Sequence, residues 1–207
     1  MYAQISDVRT AFGVSSELID DTELGKLLEQ SHVLFLFKVT TWEYEEVTSW
    51  VEEGLTWFSV EPVIADINFD KVIDANDVKI HCFNKKEYSW STVNVLDVIA
   101  QRGLVKAERR PTSDETFYVE YRRYPFGVVP DWDLCKETVV AICGYLLFRR
   151  EYALMPSTVR IGGYTFGFGA SGKKLRDIIN IFFEQVRAVT REFRIEEKRG
   201  RFGEGML

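Results

Sequence analysis

The sequence predicts an α+β fold: a small helical bundle of about four helices with an inserted antiparallel β region. Apolar residues recur at helical spacing in both end segments of the chain, whereas the middle shows the period of two that is typical of strands. With 207 residues, 46% of them apolar, the chain is long enough to bury a core. We predict a helical core from residues 1–44 and 126–195, the β region from 45–125, and a flexible tail at 196–207.

Two helices are predicted near the N-terminus. Ser6-Asp7 can cap the first, which ends before Gly13. The second begins at Asp20 or Asp21, either of which can cap it, and runs to about Lys38. Its core-facing positions recur at helical spacing: Leu24, Leu27, Leu28, Ser31 and Phe35.

The β region begins as extended or irregular chain and then alternates more regularly. Four strands are predicted, at residues 78–83, 93–99, 104–107 and 116–121. Gln101-Arg102-Gly103 is a predicted hairpin turn between the second and third of them. We therefore expect one small antiparallel sheet.

Helical spacing returns after Pro130-Asp131 and predicts a central helix that ends by Pro156. Ala141 and Gly144 should allow close packing of this helix. A short extended stretch follows at residues 158–166, and the last helix begins at about Ser171. The apolar stripe of the last helix is Leu175, Ile178, Ile179, Phe182, Val186, Val189 and Phe193.

Cysteine content and the length of the apolar runs indicate which cellular compartment to expect for the protein. Cys82, Cys135 and Cys143 are an odd number and form no CxxC pair, which favours a reducing compartment. No secretory signal is visible at the N-terminus. The apolar stretches are shorter than the roughly 20 residues that span a bilayer, so we expect no membrane partner.

Charge is distributed unevenly along the chain. The formal net charge of −6 disfavours dedicated binding of a nucleic-acid backbone. Residues 1–100 carry 7 basic and 18 acidic side chains, whereas residues 101–207 carry 19 and 14. Two interpretations are open: the opposite charges pair inside one monomer, or an acidic face of one subunit meets a basic face of the next in a head-to-tail ring.

No catalytic motif is complete, and we expect no enzyme. The string from Gly167 to Lys174 satisfies GxGxxG and nearly satisfies GxxxxGK[ST], but Lys174 lacks the hydroxyl that would ligate magnesium. Too little chain follows to complete a βαβ unit, so we interpret the string as a glycine turn in which Ser171 caps the last helix. His32 and His81 are interpreted as structural, because nothing in the sequence places either beside a nucleophile.

An acidic loop is the most specific chemical pattern in the sequence. It offers oxygen ligands at the spacing of an EF-hand-type calcium loop: Asp66, Asn68, Asp70, the carbonyl of Val72, Asp74 and Asp77. Lys71 stands where glycine usually makes the sharp turn, and Asp77 stands where the longer glutamate is usual, so we expect weakened affinity for Ca²⁺. The alternative is an acidic surface turn that binds nothing.

Several local strings and the order of elements point to a family. The strings are Tyr2-Ala3-Gln4-Ile5-Ser6-Asp7-Val8-Arg9, Asp20-Asp21-Thr22-Glu23-Leu24, Asp131-Trp132-Asp133-Leu134 and Pro156-Ser157-Thr158-Val159-Arg160-Ile161-Gly162-Gly163-Tyr164. With two early helices, an inserted β region, a buried helix, a hairpin and a terminal helix, the chain resembles the adaptor, or head-tail connector, proteins of tailed bacterial and archaeal viruses. The resemblance implies a structural virion protein whose bundle forms a ring, usually of twelve copies, beneath the portal.

The resemblance also implies partners. The terminal helix and tail would contact neighbouring copies, the portal protein, or a neck or tail protein, with DNA only passing through the channel. The candidate partner-binding residues are Arg187, Arg191, Arg194, Lys198, Arg199 and Arg201. The expected location is the neck of the virion, and the host cytoplasm during assembly. A calcium-dependent interaction or adhesion module is the alternative, and a nucleic-acid-binding protein is less favoured because glutamates are interleaved with these basic residues.

Overall fold

We describe the fold from a computed structural model, which describes residues 1–52, 55–149, 158–161, 164–167 and 175–188. In chain order the elements are α1 (Ile5–Phe12), α2 (Asp21–Val39), β1 (Thr41–Glu46), β2 (Trp57–Ser59), a 3₁₀ turn (Ala75–Asp77), β3 (Val78–Asn84), β4 (Ser89–Val93), β5 (Val95–Ile99), a second 3₁₀ turn (Ala100–Arg102), β6 (Leu104–Ala107), β7 (Glu115–Arg123), α3 (Trp132–Arg149), β8 (Thr158–Ile161), β9 (Tyr164–Gly167) and α4 (175–188). All of these strands pair in antiparallel fashion. The predicted α+β class is therefore confirmed.

The chain forms two compact units. The helical unit comprises residues 2–38 and 130–207, and the β unit comprises Met1 and residues 39–129. The β unit thus starts before residue 45, where the sequence placed its boundary, because the alternating segment Thr41–Glu46 already forms β1.

Local side-chain and glycine signals set the ends of the helices. Gly13 has a left-handed backbone, with φ of 63°, and its N–H donates to the carbonyl of Arg9 at the end of α1. The Asp20 carboxylate accepts the N–H of Glu23 at 2.8 Å, and thereby caps the start of α2. Asp131 caps α3 in the same way.

The core of the helical unit contains aromatic and aliphatic side chains from all four helices. The members with almost no exposure include Val8, Phe12, Leu24, Leu27, Phe35, Val139, Ile142, Leu147, Ile178 and Phe182. The Phe35 and Phe182 rings meet edge to face at 5.1 Å. His32 is buried in this core, where its Nε2 accepts the N–H of Ala3 and its Nδ1 donates to the carbonyl of Leu28.

The β unit contains two sheets around one core. The strand order is β1-β7-β3-β4 in the four-stranded sheet and β2-β6-β5 in the three-stranded sheet. The buried side chains between them are Val47, Phe58, Val60, Ile64, Val78, Ile80, Cys82, Val93, Val105, Ala107, Phe117, Val119 and Tyr121. Strands β3 and β7 show the expected alternation of buried and more exposed positions.

Three features of the β unit differ from the sequence-based expectation. The predicted strand 93–99 is two strands, because the chain passes from one sheet to the other at Asn94. Strand β4 was not predicted, since Ser89–Val93 has a single buried position. The expected single sheet is therefore wrong, and β5 pairs with β6 in the second sheet.

Several predicted features lie outside the described residues. These are the glycine-rich string beyond Gly167, the stop at Pro156, the cap at Ser171 and the tail at 196–207. Among the helices that the structure describes, none has the length and apolar character needed to cross a membrane.

Candidate functional site

The acidic loop precedes β3 and coils around its own side chains. Every aspartate in it accepts a hydrogen bond from a backbone N–H of the loop, as does Asn68. The bonds run from Phe69 to Asp66 Oδ1 (2.6 Å), Lys71 to Asp66 Oδ2 (2.8 Å), Asp70 to Asn68 Oδ1 (3.0 Å), Val72 to Asp70 Oδ1 (2.8 Å), Asn76 to Asp74 Oδ1 (2.7 Å), Ile67 to Asp77 Oδ1 (2.7 Å) and Asp74 to Asp77 Oδ2 (3.0 Å). These bonds explain the spacing of the acidic residues without an ion.

Two residues of the loop adopt the left-handed backbone conformation. The φ angles are 64° at Phe69 and 72° at Lys71. Lys71 therefore takes the conformation that glycine usually supplies at the sixth position of a calcium loop, despite its Cβ. Its N–H and that of Phe69 both bond to Asp66, which holds the turn.

The first and last carboxylates of the loop are buried. Asp66 and Asp77 are each 0% exposed. Burial, and to a smaller extent the negative charges of Asp66 and Asp74, raise the pKa of Asp77 to about 6 against the opposing effect of the N–H groups of Asp74 and Ile67. The carboxyl group of Asp77 is thus close to half-ionised in mildly acidic solution.

The structure does not bring the loop carboxylates together around one point. Among the described residues, no group of three or more His, Cys, Asp or Glu side chains is arranged to hold a metal ion. The donor atoms are nevertheless of the hard oxygen type that Ca²⁺ prefers, and each carboxylate oxygen that accepts one N–H retains a second lone pair. The calcium site at Asp66, Asn68, Asp70, Val72, Asp74 and Asp77 stays a prediction.

The face of the four-stranded sheet that points away from the core carries a continuous row of aromatic side chains, which we call the aromatic row. Its members, from the β1 edge to the β3–β4 hairpin, are Trp42, Tyr44, Tyr118, Trp90, Phe83 and Tyr88. Successive ring centroids are 5.9, 5.6, 5.5, 4.9 and 6.4 Å apart. Trp42, Trp90 and Tyr88 are 53%, 57% and 83% exposed, so both edges of the row are open to a partner.

A polar pair lies within this aromatic surface. His81 Nε2 is 2.9 Å from Glu120 Oε2, and the Tyr44 ring centroid is 6.0 Å from that of His81. The hydrogen bond with His81 lowers the pKa of Glu120, and the positive charge of Lys79 contributes to the same effect. Tyrosine, tryptophan and hydrogen-bonding groups on one surface are typical of protein interfaces.

A second exposed surface lies on the helical unit. Val33 and Phe37 are one helical turn apart on α2 and are 43% and 61% exposed. A surface depression of about 500 Å³ is lined, within the described part of the chain, by Lys26, Glu29, Gln30, Val33 and Leu34. This surface offers apolar contact area surrounded by charged groups.

The predicted basic stripe of the last helix is described in part. Arg187 is exposed on α4, whereas Phe182 and Val186 are buried. The other candidate partner-binding residues, Arg191, Arg194, Lys198, Arg199 and Arg201, lie outside the described residues.

Charge divides differently in space than along the chain. Residues 39–129, the main part of the β unit, carry 10 basic and 16 acidic side chains. The helical unit carries 16 of each. The acidic excess of the chain is therefore a property of the β unit, because the basic C-terminal segment belongs to the same unit as the acidic N-terminal helices.

The aromatic row is the feature that sequence reasoning missed. Trp42 and Tyr44 alternate with glutamates, which signals an outward-facing strand, but their contact with Tyr118 and Trp90 depends on strand order.

Comparison of the chain with protein-family models, with curated proteins and with solved structures gave no match.

Proposed function

We propose that the protein is a structural subunit of the adaptor ring that joins the portal to the neck or tail of a tailed virus. The observation that carries the proposal is the element order: two helices, an inserted β unit, a buried helix, a hairpin and a terminal helix. Both ends of the chain contribute to the helical unit, so the β unit is an insertion. This is the order of elements on which the resemblance to viral adaptors rests.

Three of the four sequence strings that resemble the family contact each other in the helical unit, and the fourth, residues 156–164, lies partly outside the described residues. Tyr2, from the first string, is buried and stacks on Trp132, from the third, with ring centroids 5.5 Å apart. Arg9, at the end of the first string, forms an ion pair with Asp21 of the second and donates to the carbonyl of Ile19. These three strings therefore stabilise one part of the fold, which supports reading them as one family pattern.

The chemistry of the described residues favours a structural role over a catalytic one. The three cysteines are buried, and burial raises the pKa of the Cys143 thiol to about 12, so this thiol stays protonated and unreactive. Both ring nitrogens of His32 interact with backbone groups. Neither the Cys143 thiol nor the His32 ring is therefore arranged as a nucleophile with a base beside it.

Ring assembly requires contacts of two kinds. Exposed ion pairs contribute only about 0–1 kcal/mol each, so Arg187 and the basic tail would orient subunits rather than hold them. Exposed apolar side chains such as Val33 and Phe37 provide the area that gives strength. In the proposed ring, both kinds of contact meet neighbouring copies or the portal.

Native mass spectrometry and electron microscopy of the chain, alone and mixed with the portal protein of the same virus, test the proposal. We expect closed rings, on their own or on the portal. The variant Arg187→Glu/Arg191→Glu/Arg194→Glu should stay folded and fail to form them. Arg176→Glu, an exposed change on α4, is the control and should assemble normally. A wild-type chain that forms no ring and does not bind the portal contradicts the proposal.

A further inference from the structure

We propose that copies of this chain associate through their β units, with edge strand β4 of one copy pairing with edge strand β1 of the next. The four-stranded sheet has the order β1-β7-β3-β4, so β1 and β4 are its two edges. Within the described residues, no strand pairs with the outer side of either edge. The strand pairing would be the contact between neighbouring subunits of the proposed adaptor ring. It rests on the proposed function only in assuming that the subunits close into a ring.

Strand direction makes the two edges compatible. All neighbouring strands in this sheet are antiparallel, and the sheet has an even number of strands, so β1 and β4 run in opposite directions. A second copy that continues the sheet sideways, with the same face outward, therefore places its β1 antiparallel to β4 of the first. The antiparallel hydrogen-bond pattern continues across the junction without inversion of either copy. Such head-to-tail pairing uses two different edges and can close into a ring.

Strand β4 lacks the features that usually protect a sheet edge. Its sequence, Ser89–Val93, has no charged residue and no proline, and four of its five residues are exposed. Natural edge strands are commonly protected by charges, prolines or bulges, because an unprotected edge is a template for another strand. Strand β1 differs, since it carries Glu43, Glu45 and Glu46. Like charges disfavour the pairing of β1 with a second β1.

The charges near the two edges favour β1 over a second β4 as the partner of β4. Lys85 and Lys86 are exposed in the hairpin that leads into β4. The strand registers place this hairpin at the same end of the sheet as Glu45 and Glu46 of β1. In a sheet continued along these rows, the two lysines of one copy lie at the same end as the glutamates of the next but more than three residues, or at least about 10 Å, beyond Glu46. The attraction between them is therefore long-range and favours the orientation of the pairing rather than its strength.

The aromatic row reaches both edges of the sheet. Trp42 and Tyr44 project from β1, and Trp90 projects from β4, on the same face of the sheet. Trp90 lies in the row of Thr116, whereas Tyr44 and Trp42 lie in the rows of Glu120 and Arg122, so the rings of two copies do not pair directly across the junction. The row therefore leaves exposed aromatic surface on both sides of the junction.

The register suggests a pair of positions for crosslinking. Glu46 lies opposite Tyr118, Tyr118 opposite His81, and His81 opposite Thr92, so Glu46 and Thr92 are the two ends of one row across the sheet. Both are exposed. In the double variant Glu46→Cys/Thr92→Cys, a short bifunctional thiol crosslinker should give a ladder of multimers from the isolated chain at high concentration. Mixing the two single variants should give dimers, and neither alone should crosslink, because the native cysteines are buried.

A charge variant tests the same junction without cysteines. Thr92→Glu places a negative charge opposite Glu46 of the neighbour, and should raise the dissociation constant for self-association about tenfold or more, measured by sedimentation. Adding Glu46→Lys to Thr92→Glu should restore association. Gln101→Glu, in the turn between β5 and β6, adds the same charge away from this sheet and is the control.

The outcomes separate this inference from the viral role. Crosslinking of Thr92→Cys alone would mean that β4 pairs with a second β4, which overturns the proposal, as does a wild-type chain that remains monomeric and uncrosslinked. Rings on the portal that form without the crosslink keep the adaptor function and overturn the strand pairing. A crosslinked ladder from a chain that does not bind the portal keeps the strand pairing and overturns the adaptor function.

Discussion

The Phe12 ring of α1 lies directly against Gly144 of α3. A Cβ atom built at Gly144 would overlap the ring, with Cε1 and Cε2 at 2.6 and 2.8 Å. Phe12 is 1% exposed, so the ring has little space into which it can move. The glycine is required at this position because a helix backbone and an aromatic ring occupy adjacent space.

We expect Gly144→Ala to destabilise the protein by about 1–3 kcal/mol, because overpacking of a buried ring exceeds the gain in helix propensity. Urea unfolding followed by circular dichroism measures this change. A Gly144→Ala variant as stable as the wild type would show that α1 and α3 can separate without cost.

Gly25 of α2 provides the matched control. The nearest atom to a Cβ at Gly25 is Ile5 Cδ1 at 3.7 Å, an ordinary contact distance. Gly25→Ala should therefore stabilise the protein by about 0.5–1 kcal/mol through the lower conformational entropy of alanine in the unfolded chain. Opposite signs for the two substitutions would separate packing from propensity.

The helices were predictable because their signals are local. Gly13 ends α1 and Asp20 caps α2 through contacts within four residues along the chain. The sheets were less predictable, because a period of two tells which side chains share a face but not which strands are neighbours. The passage of the chain between sheets at Asn94 leaves no mark in the hydrophobic pattern.

The candidate site shows the same limit. The spacing of Asp66, Asn68 and Asp70 predicted a tightly coiled loop, and the loop is coiled. The spacing could not show that backbone N–H groups occupy these oxygens, since a calcium loop and a self-capped turn share one pattern. The contact between Tyr44 and Tyr118 joins residues 74 positions apart, which no local pattern reveals.

The ion pair between Arg109 and Glu115 should make the free energy of unfolding depend on pH in acidic solution. Two hydrogen bonds, of 2.6 and 2.9 Å, join the guanidinium to the carboxylate and lower the pKa of Glu115 to about 2, with help from the N–H of Thr112. Because the pKa in the folded state is below its ordinary value of 4.5, the stabilisation is fully present above pH 4.5 and is lost as the pH falls towards 2.

Glu115→Gln should therefore reduce the free energy of unfolding by about 1 kcal/mol at pH 7 and by much less near pH 2. Urea unfolding at both pH values measures the difference. Glu17→Gln, at an exposed position, should change little at either pH. An effect of Glu115→Gln that is equal at both pH values would contradict the assignment of the ion pair.

Gly103 should tolerate no side chain. Its φ angle is 60°, and a Cβ would collide with the carbonyl of Val60 and lie 3.0 Å from the backbone nitrogen of Pro62. We expect Gly103→Ala to cost more than the roughly 1–2 kcal/mol of left-handed strain alone. Gly127→Ala, with φ of 77° and open space around the Cβ, should show only that strain. Equal unfolding free energies for the two variants would disprove the backbone collision.

The last prediction concerns the acidic loop and pH. Because the pKa of Asp77 is raised to about 6 from 3.8, the folded state binds a proton that the unfolded chain releases between these values. This contribution to stability is fully present below pH 3.8 and is lost as the pH rises through 6. Without calcium, stability should therefore decline over this range, and Asp77→Ala should remove the decline.

A bound cation would oppose this effect, because it favours the charged form of Asp77. If the loop binds Ca²⁺, the ion should raise the melting temperature more at pH 7.5 than at pH 5, with about 2.7 kcal/mol of stabilisation at 100 times the dissociation constant. Asp70→Ala should abolish the response, whereas Asp114→Ala, at an exposed position outside the loop, should retain it. Calorimetry at millimolar Ca²⁺ is the decisive measurement, since weak loops bind at about 10⁻⁴ to 10⁻³ M. No heat and no thermal shift at either pH would establish that the carboxylates serve the backbone N–H groups alone.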